Sequence, residues 1–307
     1  MNYINHNMRY GLLSYWTDNL GDEIQSIASR TFLPRVDHYL ERDYLADINL
    51  SEKHLLICNG WWMWSRDKHF QFPFNKEIKP LFISVHLAAE FRKHISQEML
   101  DYFAQHGPVG CRDRGTQRFL EQQGISAYFS SCLTLTLPPK SVQKTNDICL
   151  VDVPSRLEQQ IPADIINNAT RVTHTLEASK YPSGVTTEYA RNRLHIAQEM
   201  LDLYARSRLI ITGRIHCALP ALALGTPVIF LSPDPRSDWN VDRLGLLEGI
   251  IPTYSECNNV DWSPCLTDIS SIARPLKNLV THAVKIGQNP MSGGAKYPDD
   301  FMQLPAL

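Results

Sequence analysis

The sequence predicts an α/β protein built as two doubly wound domains, with mostly parallel sheets facing a central cleft. Three observations predict it. Short apolar runs alternate with amphipathic patterns through both halves of the chain, the signature of repeated βαβ units. The alternation breaks once, at "LPPKSVQKTN" (137–146), where two prolines and a polar run mark a linker. A chain of 307 residues has core enough for two such units. We place the boundary there, with one domain over residues 1–140 and a second over 141–307 that ends in a helix and tail.

In the first half, strand-like runs are "RYGLLSY" (9–15), "HLLICN" (54–59), "LFISVH" (81–86), "PVGCR" (108–112) and "AYFSS" (127–131). Helix patterns lie between them at about 20–31, 88–105 and 115–123. The second half repeats the scheme with "DICLVDV" (147–153), "TRVTHTL" (170–176), "RLIIT" (208–212) and "PVIFL" (227–231). Ala190, Leu194, Ala197, Leu201 and Tyr204 recur at steps of four and three and define an amphipathic helix before the third of these. "CALPALAL" is apolar on every side and reads as a buried helix, stopped by Gly225 and kept from continuing by Pro227. Pro220 within it predicts a kink or a late start. Leu276, Leu279, Val280 and Val284 mark the last helix.

Composition excludes several function classes. Hydrophobic residues at 43% and charged residues at 20% are globular values. A net charge of -2 argues against nucleic acid as a partner, so any anionic ligand must be held by a local cluster of cations. The N-terminal "MNYINHNMRYGLLSYW" is not a secretory leader, and the longest apolar stretch, Ala218 to Leu231, is short for a bilayer and broken by Gly225, Thr226 and Pro227. Seven scattered cysteines without a CxxC pair read as reduced thiols of a cytoplasmic protein.

Ligands of such sheets bind at the carboxyl ends of the strands. After the first strand, "NLGDEI" (19–24) offers Asn19, Gly21 and Asp22 for a tight turn and a helix start whose free N–H groups favour an anion; an ordinary capped turn reads the same way. The second strand ends at Asn59-Gly60 and enters an aromatic loop (61–74), where Trp61, Trp62 and Trp64 either stack on sugar rings or plug the side of the domain. The third ends at His86, either a ligand contact or a satisfied core histidine. The fourth gives "GCRDRGT" (110–116), where Arg112 and Arg114 are either an arginine fork for phosphate or carboxylate or members of a surface ion cluster. In the second half His174 lies near a strand end. "RLIIT" ends at Thr212, and Gly213, Arg214 and His216 follow at the mouth of the buried helix, an arrangement suited either to binding an anion and moving a proton or to an arginine salt bridge with a capping histidine. The sequence lacks GxxxxGK[ST], GxGxxG, GxSxG and HExxH, and it offers too few clustered ligands for a metal.

Three of these segments, in this order, resemble the polysaccharide pyruvyl transferase family: "NLGDEI" (19–24), "GCRDRGT" (110–116) and "TGRIHCALPALALGTPVI" (212–229). Many members carry an Asp-Pro after the R-D segment. This chain has "FSSCLTLTLP" (129–138) instead, so no ligand role is carried over to that position. The resemblance implies two Rossmann-like domains arranged as in GT-B glycosyltransferases, with an acceptor side in the first and a donor side in the second. It further implies phosphoenolpyruvate as donor, no other cofactor, and a sugar diol of a glycan or lipid-linked oligosaccharide as acceptor. The protein would be cytoplasmic, at most peripherally attached to the inner face of the membrane, and would act in exopolysaccharide biosynthesis. On this reading Arg214 binds the donor with Arg112 or Arg114, Thr212 and Gly213 line the donor site, and His216 protonates the methylene carbon. Asn19, Gly21, Asp22, Asn59, Trp61, His86 and His174 face the cleft or the acceptor. A bound dianionic phosphate is expected to outweigh the helix N-terminus and raise the His216 pKa. Two rivals stand beside this reading. A nucleotide-sugar glycosyltransferase would want a ribose-binding glutamate where Pro220 stands. A non-catalytic carbohydrate-binding protein on the same scaffold would have no need of the Arg214–His216 pair.

Overall fold

Short aliphatic runs fold into two parallel sheets in a computed structural model that describes residues 8–62, 72–176, 185–232 and 241–287. The first sheet uses β1 (Arg9–Ser14), β2 (His38–Glu41), β3 (His54–Trp62), β4 (Ile78–Leu87), β5 (Val109–Cys111) and β6 (Ala127–Phe129). The second uses β7 (Ile148–Val151), β8 (Ala169–Val172), β9 (Leu209–Thr212), β10 (Val228–Leu231) and β11 (Thr253–Tyr254). Helices of the first half are α1 (Gly21–Arg30), α2 (Ala89–Arg92), α3 (Gln97–Gln105) and α4 (Arg114–Gln122). Those of the second are α5 (Ser155–Glu158), α6 (Ala163–Ile166), α7 (Thr187–Arg206), α8 (Ile215–Ala223), α9 (Val241–Gly245) and α10 (Ser270–Ile286).

The two sheets repeat one topology. Their strand orders are β2-β1-β3-β4-β5-β6 and β8-β7-β9-β10-β11, with the first strand of each half between its second and third. The order reverses between β1 and β3 in one sheet and between β7 and β9 in the other. In doubly wound sheets the ligand crevice opens at that reversal, beyond the carboxyl ends of the strands.

Three differences from the sequence reading have physical causes. The single helix expected at 88–105 is two helices, because Ser96 is extended (φ -76°, ψ 160°) and its hydroxyl accepts the Met99 N–H, starting α3 afresh. The edge strand β2 was not anticipated, since "HYLE" buries only Leu40 well and carries no apolar alternation. Helix α8 starts at Ile215, not late, and holds Pro220 in its second turn. Proline has no N–H to donate four residues back, so the carbonyl left without its helical partner is that of His216.

One apolar core cluster runs through both halves. It joins Leu12, Ile24 and Ile57 of the first to Leu201, Ile210, Cys217 and Leu276 of the second. Polar ties reinforce it. Leu20 N–H donates to the His174 carbonyl at 2.9 Å and Leu176 N–H to that of Asp18 at 2.7 Å. Arg193 of α7 makes a two-pronged ion pair with Glu23 of α1, at 2.6 and 3.1 Å, with both groups buried. Arg92, closing α2, meets Asp242 of α9 at 2.8 Å. The proline-rich stretch 137–146 runs along the second half, where Lys140 pairs with Asp202 and Lys144 donates to the Thr226 hydroxyl. Six of the seven cysteines are buried free thiols, and Cys265 is exposed.

Candidate functional site

The two strand-order reversals bring their loops together. After β1, the Asn19 side chain accepts the Gly21 N–H at 3.1 Å and its carbonyl accepts the Asp22 N–H, so Asn19 shapes the turn into α1. Gly21 is required by close approach. A Cβ there would stand 3.2 Å from the His216 Cβ and 3.3 Å from the His174 Nδ1, so both histidines of the second half pack on this turn of the first. Asp22 is buried, receiving hydrogen bonds from the Thr17 hydroxyl (3.1 Å) and the Gln25 amide (3.2 Å). Burial pushes its carboxyl up, against the pull of Arg42, Thr17 and Arg112. After β3, Asn59 donates to the Gln25 carbonyl at 3.0 Å and its own side-chain oxygen is buried without a partner.

Arg112 follows β5 and is 1% exposed. Its Nη1 donates to the Gln25 side chain at 3.4 Å and to the His216 Nε2 at 3.1 Å, while its Nε has no partner. Because a guanidinium can only donate, the second contact makes Nε2 of His216 an acceptor and leaves the ring proton on Nδ1. Burial, then the charges of Arg112 and Arg243, hold the His216 imidazole well below the usual histidine range. In the absence of ligand His216 is therefore neutral.

Arg214 N-caps α8 in position only, and its Nε donates to Asp152 at 3.0 Å. The same carboxylate accepts the His174 N–H at 2.9 Å. Burial pushes Asp152 up, but the His174 N–H, the Thr173 hydroxyl and the Arg214 charge outweigh it and the net shift is down. Thr212 is occupied with its surroundings, donating to the Val151 carbonyl at 2.8 Å and accepting the Arg214 N–H at 2.9 Å. A Cβ on Gly213 would stand 3.0 Å from the Leu231 carbonyl, so the glycine admits the turn between strands. His174 is 1% exposed, with Nε2 against the Tyr204 hydroxyl at 2.7 Å, and burial lowers its pKa to about 4.

His86, near the end of β4, sits 2.6 Å from Asp113 through Nδ1. Its ring meets Trp61 edge-on, centroids 5.7 Å apart, and the Arg243 guanidinium lies 5.7 Å from the Trp61 ring centre. Trp62 is wholly buried and fills the domain, the bland half of the aromatic expectation, while Trp61 is partly exposed; Trp64 lies outside the described residues. Arg114 is separated from this group: exposed on α4, it bonds Gln117 at 3.0 Å and stacks on Phe129 at 4.1 Å.

Four participants escaped the sequence reading. Gln25 bridges Asp22 and Arg112 from the first turns of α1. Asp152 was placed inside a strand that ends one residue earlier, at Val151; the strand-end filter would have found it with the right boundary. Arg243 on α9 has no carboxylate within ion-pairing distance among the described residues. Burial first, then Arg112 and Arg214, lower it to about 10. Ser131, after β6, holds φ at 58° and a buried hydroxyl without a partner. Ser84 (60°) and Asp152 (44°) share this left-handed backbone, a conformation costing about 1–3 kcal/mol per non-glycine residue that collects at functional sites.

Arg112 of the first half thus touches a neutral His216 of the second, and the charges of Arg112, Arg214 and Arg243 act on that imidazole or on one another. A family model described as polysaccharide pyruvyl transferase matches residues 19–235, well over half of the chain. The protein belongs to the polysaccharide pyruvyl transferase family. The three segments that carry the resemblance, 19–24, 110–116 and 212–229, all lie in the matched span. A solved structure of a functionally uncharacterised protein, KP1_0663 of Klebsiella pneumoniae subsp. pneumoniae NTUH-K2044, is similar at 15% identity and a TM-score of 0.42, with 82% of this chain and 92% of that one covered. None of the curated proteins compared matches the chain. No helix among the described residues of this transferase is long and apolar enough to cross a membrane. Among those residues, no group of three or more His, Cys, Asp or Glu side chains could hold a metal ion.

Proposed function

We propose that this transferase moves the pyruvyl group of phosphoenolpyruvate onto a sugar diol, forming a cyclic ketal and releasing phosphate, in a cleft between its two halves. The observation that carries the reading is the 3.1 Å contact from Arg112 of the first half to His216 of the second. The donor bears a phosphate and a carboxylate on three carbons. Among the described residues no carboxylate lies within ion-pairing distance of Arg112 or Arg243, and Arg214 shares only its Nε with Asp152. Such forks suit phosphate and carboxylate oxygens. The donor anion draws Arg112 off Nε2, and His216, once protonated, delivers its proton to C3. The C2 centre then becomes electrophilic, a hydroxyl adds, phosphate leaves and the second hydroxyl closes the ring. The acceptor lies toward Trp61 and His86. The glycan is cytoplasmic-side material, free or lipid-linked, met at most peripherally at the membrane.

Incubation with phosphoenolpyruvate and a panel of saccharide diols tests the reading. Phosphate release matched by formation of a ketal carboxylate, followed by phosphorus and proton magnetic resonance, is expected. Consumption of a nucleotide sugar with phosphoenolpyruvate untouched would overturn it.

The histidine also makes donor binding dependent on pH. In the free protein its pKa lies well below 6.5, and a bound dianion raises it. Between those two values the complex holds more protons than its separated parts, so binding takes up protons, and affinity falls as pH rises. Calorimetry with phosphoenolpyruvate near neutral pH, in two buffers of different ionisation enthalpy, is expected to show uptake approaching about one proton. In His216→Ala the buffer dependence should vanish. Equal heats in both buffers with the parent protein would sink the coupling.

A further inference from the structure

Pyruvyl transfer needs a base as well as an acid, since the attacking hydroxyl must lose its proton. Asp22 and His174, the residues nearest the α1 turn, are poorly placed for it. Asp22 has both oxygens engaged, by Thr17 and Gln25. His174 has Nε2 committed to Tyr204, and its Nδ1 is buried against Gly21.

We infer that His86 is the general base that accepts the proton of the first attacking hydroxyl, and that Asp113 positions it. This inference rests on the proposed reaction. The geometry is that of an oriented imidazole. Nδ1 faces the Asp113 carboxylate at 2.6 Å. That carboxylate is itself fixed by the Thr116 N–H (2.7 Å) and hydroxyl (3.0 Å), with Arg92 at 3.8 Å. An acceptor-only carboxylate puts the ring proton on Nδ1 and leaves the Nε2 lone pair free, and Nε2 has no partner among the described residues. Asp113 is also the N-cap of α4, so the helix that closes the loop sets the tautomer. Trp61 stands edge-on to the imidazole, ring centroids 5.7 Å apart.

The charges around His86 agree with the role. Burial lowers its pKa, Asp113 opposes, and Arg112 and Arg92 add to the lowering. Arg243, above Trp61, is a further cation on this side, and His86 and His216 are close enough for each other's charge to count. His86 is thus neutral near pH 7, the state a base requires. The two histidines then divide the proton traffic. His216 protonates C3 as the hydroxyl oxygen bonds to C2 and gives its proton to His86. Protonated His86 passes that proton to the departing phosphate as the C2–O bond breaks, and the proton of the second hydroxyl restores His216. The diol loses two protons, one ending on carbon and one on phosphate.

The test uses the full chain with phosphoenolpyruvate and a diol that the parent protein accepts. His86→Gln is expected to lower kcat by about 100-fold or more, with the phosphoenolpyruvate Kd unchanged and the acid limb of the kcat profile lost. Exogenous imidazole should restore turnover to His86→Ala, an effect that a merely packing histidine does not show. In Asp113→Asn the amide oxygen can still accept the Thr116 N–H and keep α4 capped. Its NH2 then donates to Nδ1 and moves the ring proton to Nε2, so kcat should fall while thermal stability is largely kept. If the parent transfers pyruvyl and His86→Gln stays within about tenfold of it, or if imidazole does not rescue His86→Ala, the assignment of the base is wrong and the reaction stands. If the parent transfers no pyruvyl group to any diol, both fall together.

Discussion

Replacing His216 with alanine is expected to cut pyruvyl transfer by about 10²- to 10⁴-fold, the range that a positioned general acid supplies. The loss should fall on kcat. Donor binding keeps Arg112, Arg214 and Arg243 but loses the proton uptake that His216 couples to it, so the phosphoenolpyruvate Kd near neutral pH should rise by about tenfold, less than kcat falls. The fold should survive, because the ring is only partly buried and its backbone start of α8 is unchanged. Arg112 loses one acceptor at 3.1 Å and keeps Gln25 at 3.4 Å. Arg112→Met should show the opposite pattern, a raised donor Kd first and a lower rate as its consequence. Single-turnover rates with saturating phosphoenolpyruvate separate the two variants. Near-parental turnover in His216→Ala would remove the acid from this scheme, because among the described residues no other imidazole touches Arg112.

How much of this was legible without coordinates depends on what sets each feature. The sheets were legible because buried parallel strands read as uninterrupted aliphatic runs, as in "RLIIT" and "PVIFL". The strands missed or misjudged lie at sheet edges. β2 is half polar, β11 is two residues long, and β8 exposes Thr170 and Arg171. The helices α1, α4 and α7 were legible from their period and their place between strands, but the split between α2 and α3 hinged on one serine. Within the site, Arg112, Arg214 and His216 were legible because charged side chains have no reason to end an apolar strand unless something meets them there. Their partners were not. Gln25 and Arg243 stand on helix faces whose composition matches ordinary solvated helices, and only the tertiary fold turns them inward. Arg114 is the converse case. It has the same residue type two positions from Arg112, but the first turn of α4 rotates it outward. The repeated 2-1-3 strand order in each sheet is visible directly.

The largest effect on stability is expected from Glu23→Ala. Glu23 is 3% exposed and Arg193 wholly buried, and they meet through two hydrogen bonds. Removing the carboxylate leaves a guanidinium in the core with the Leu176 carbonyl, 3.3 Å away, and the Tyr189 ring, 5.5 Å from its centre, as neutral neighbours. Breaking one side of a buried pair costs about 3–5 kcal/mol, which should appear as a melting midpoint lower by roughly 10 °C. A loss below about 1 kcal/mol would show that water or another group compensates the arginine. The double variant Glu23→Leu with Arg193→Leu separates stability from positioning. An apolar pair of similar volume removes both desolvation costs, so much of the stability should return. Transfer activity should not return with it. Glu23 lies in the first turn of α1, two residues after the Gly21 on which His216 and His174 pack, and Arg193 belongs to the other half. The ion pair therefore fixes the direction in which the first half presents its turn to the histidines of the second. A leucine pair packs without direction. If the double variant regained both its melting midpoint and its turnover, the pair would be filling space and the alignment of the two halves would come from the shared apolar core alone.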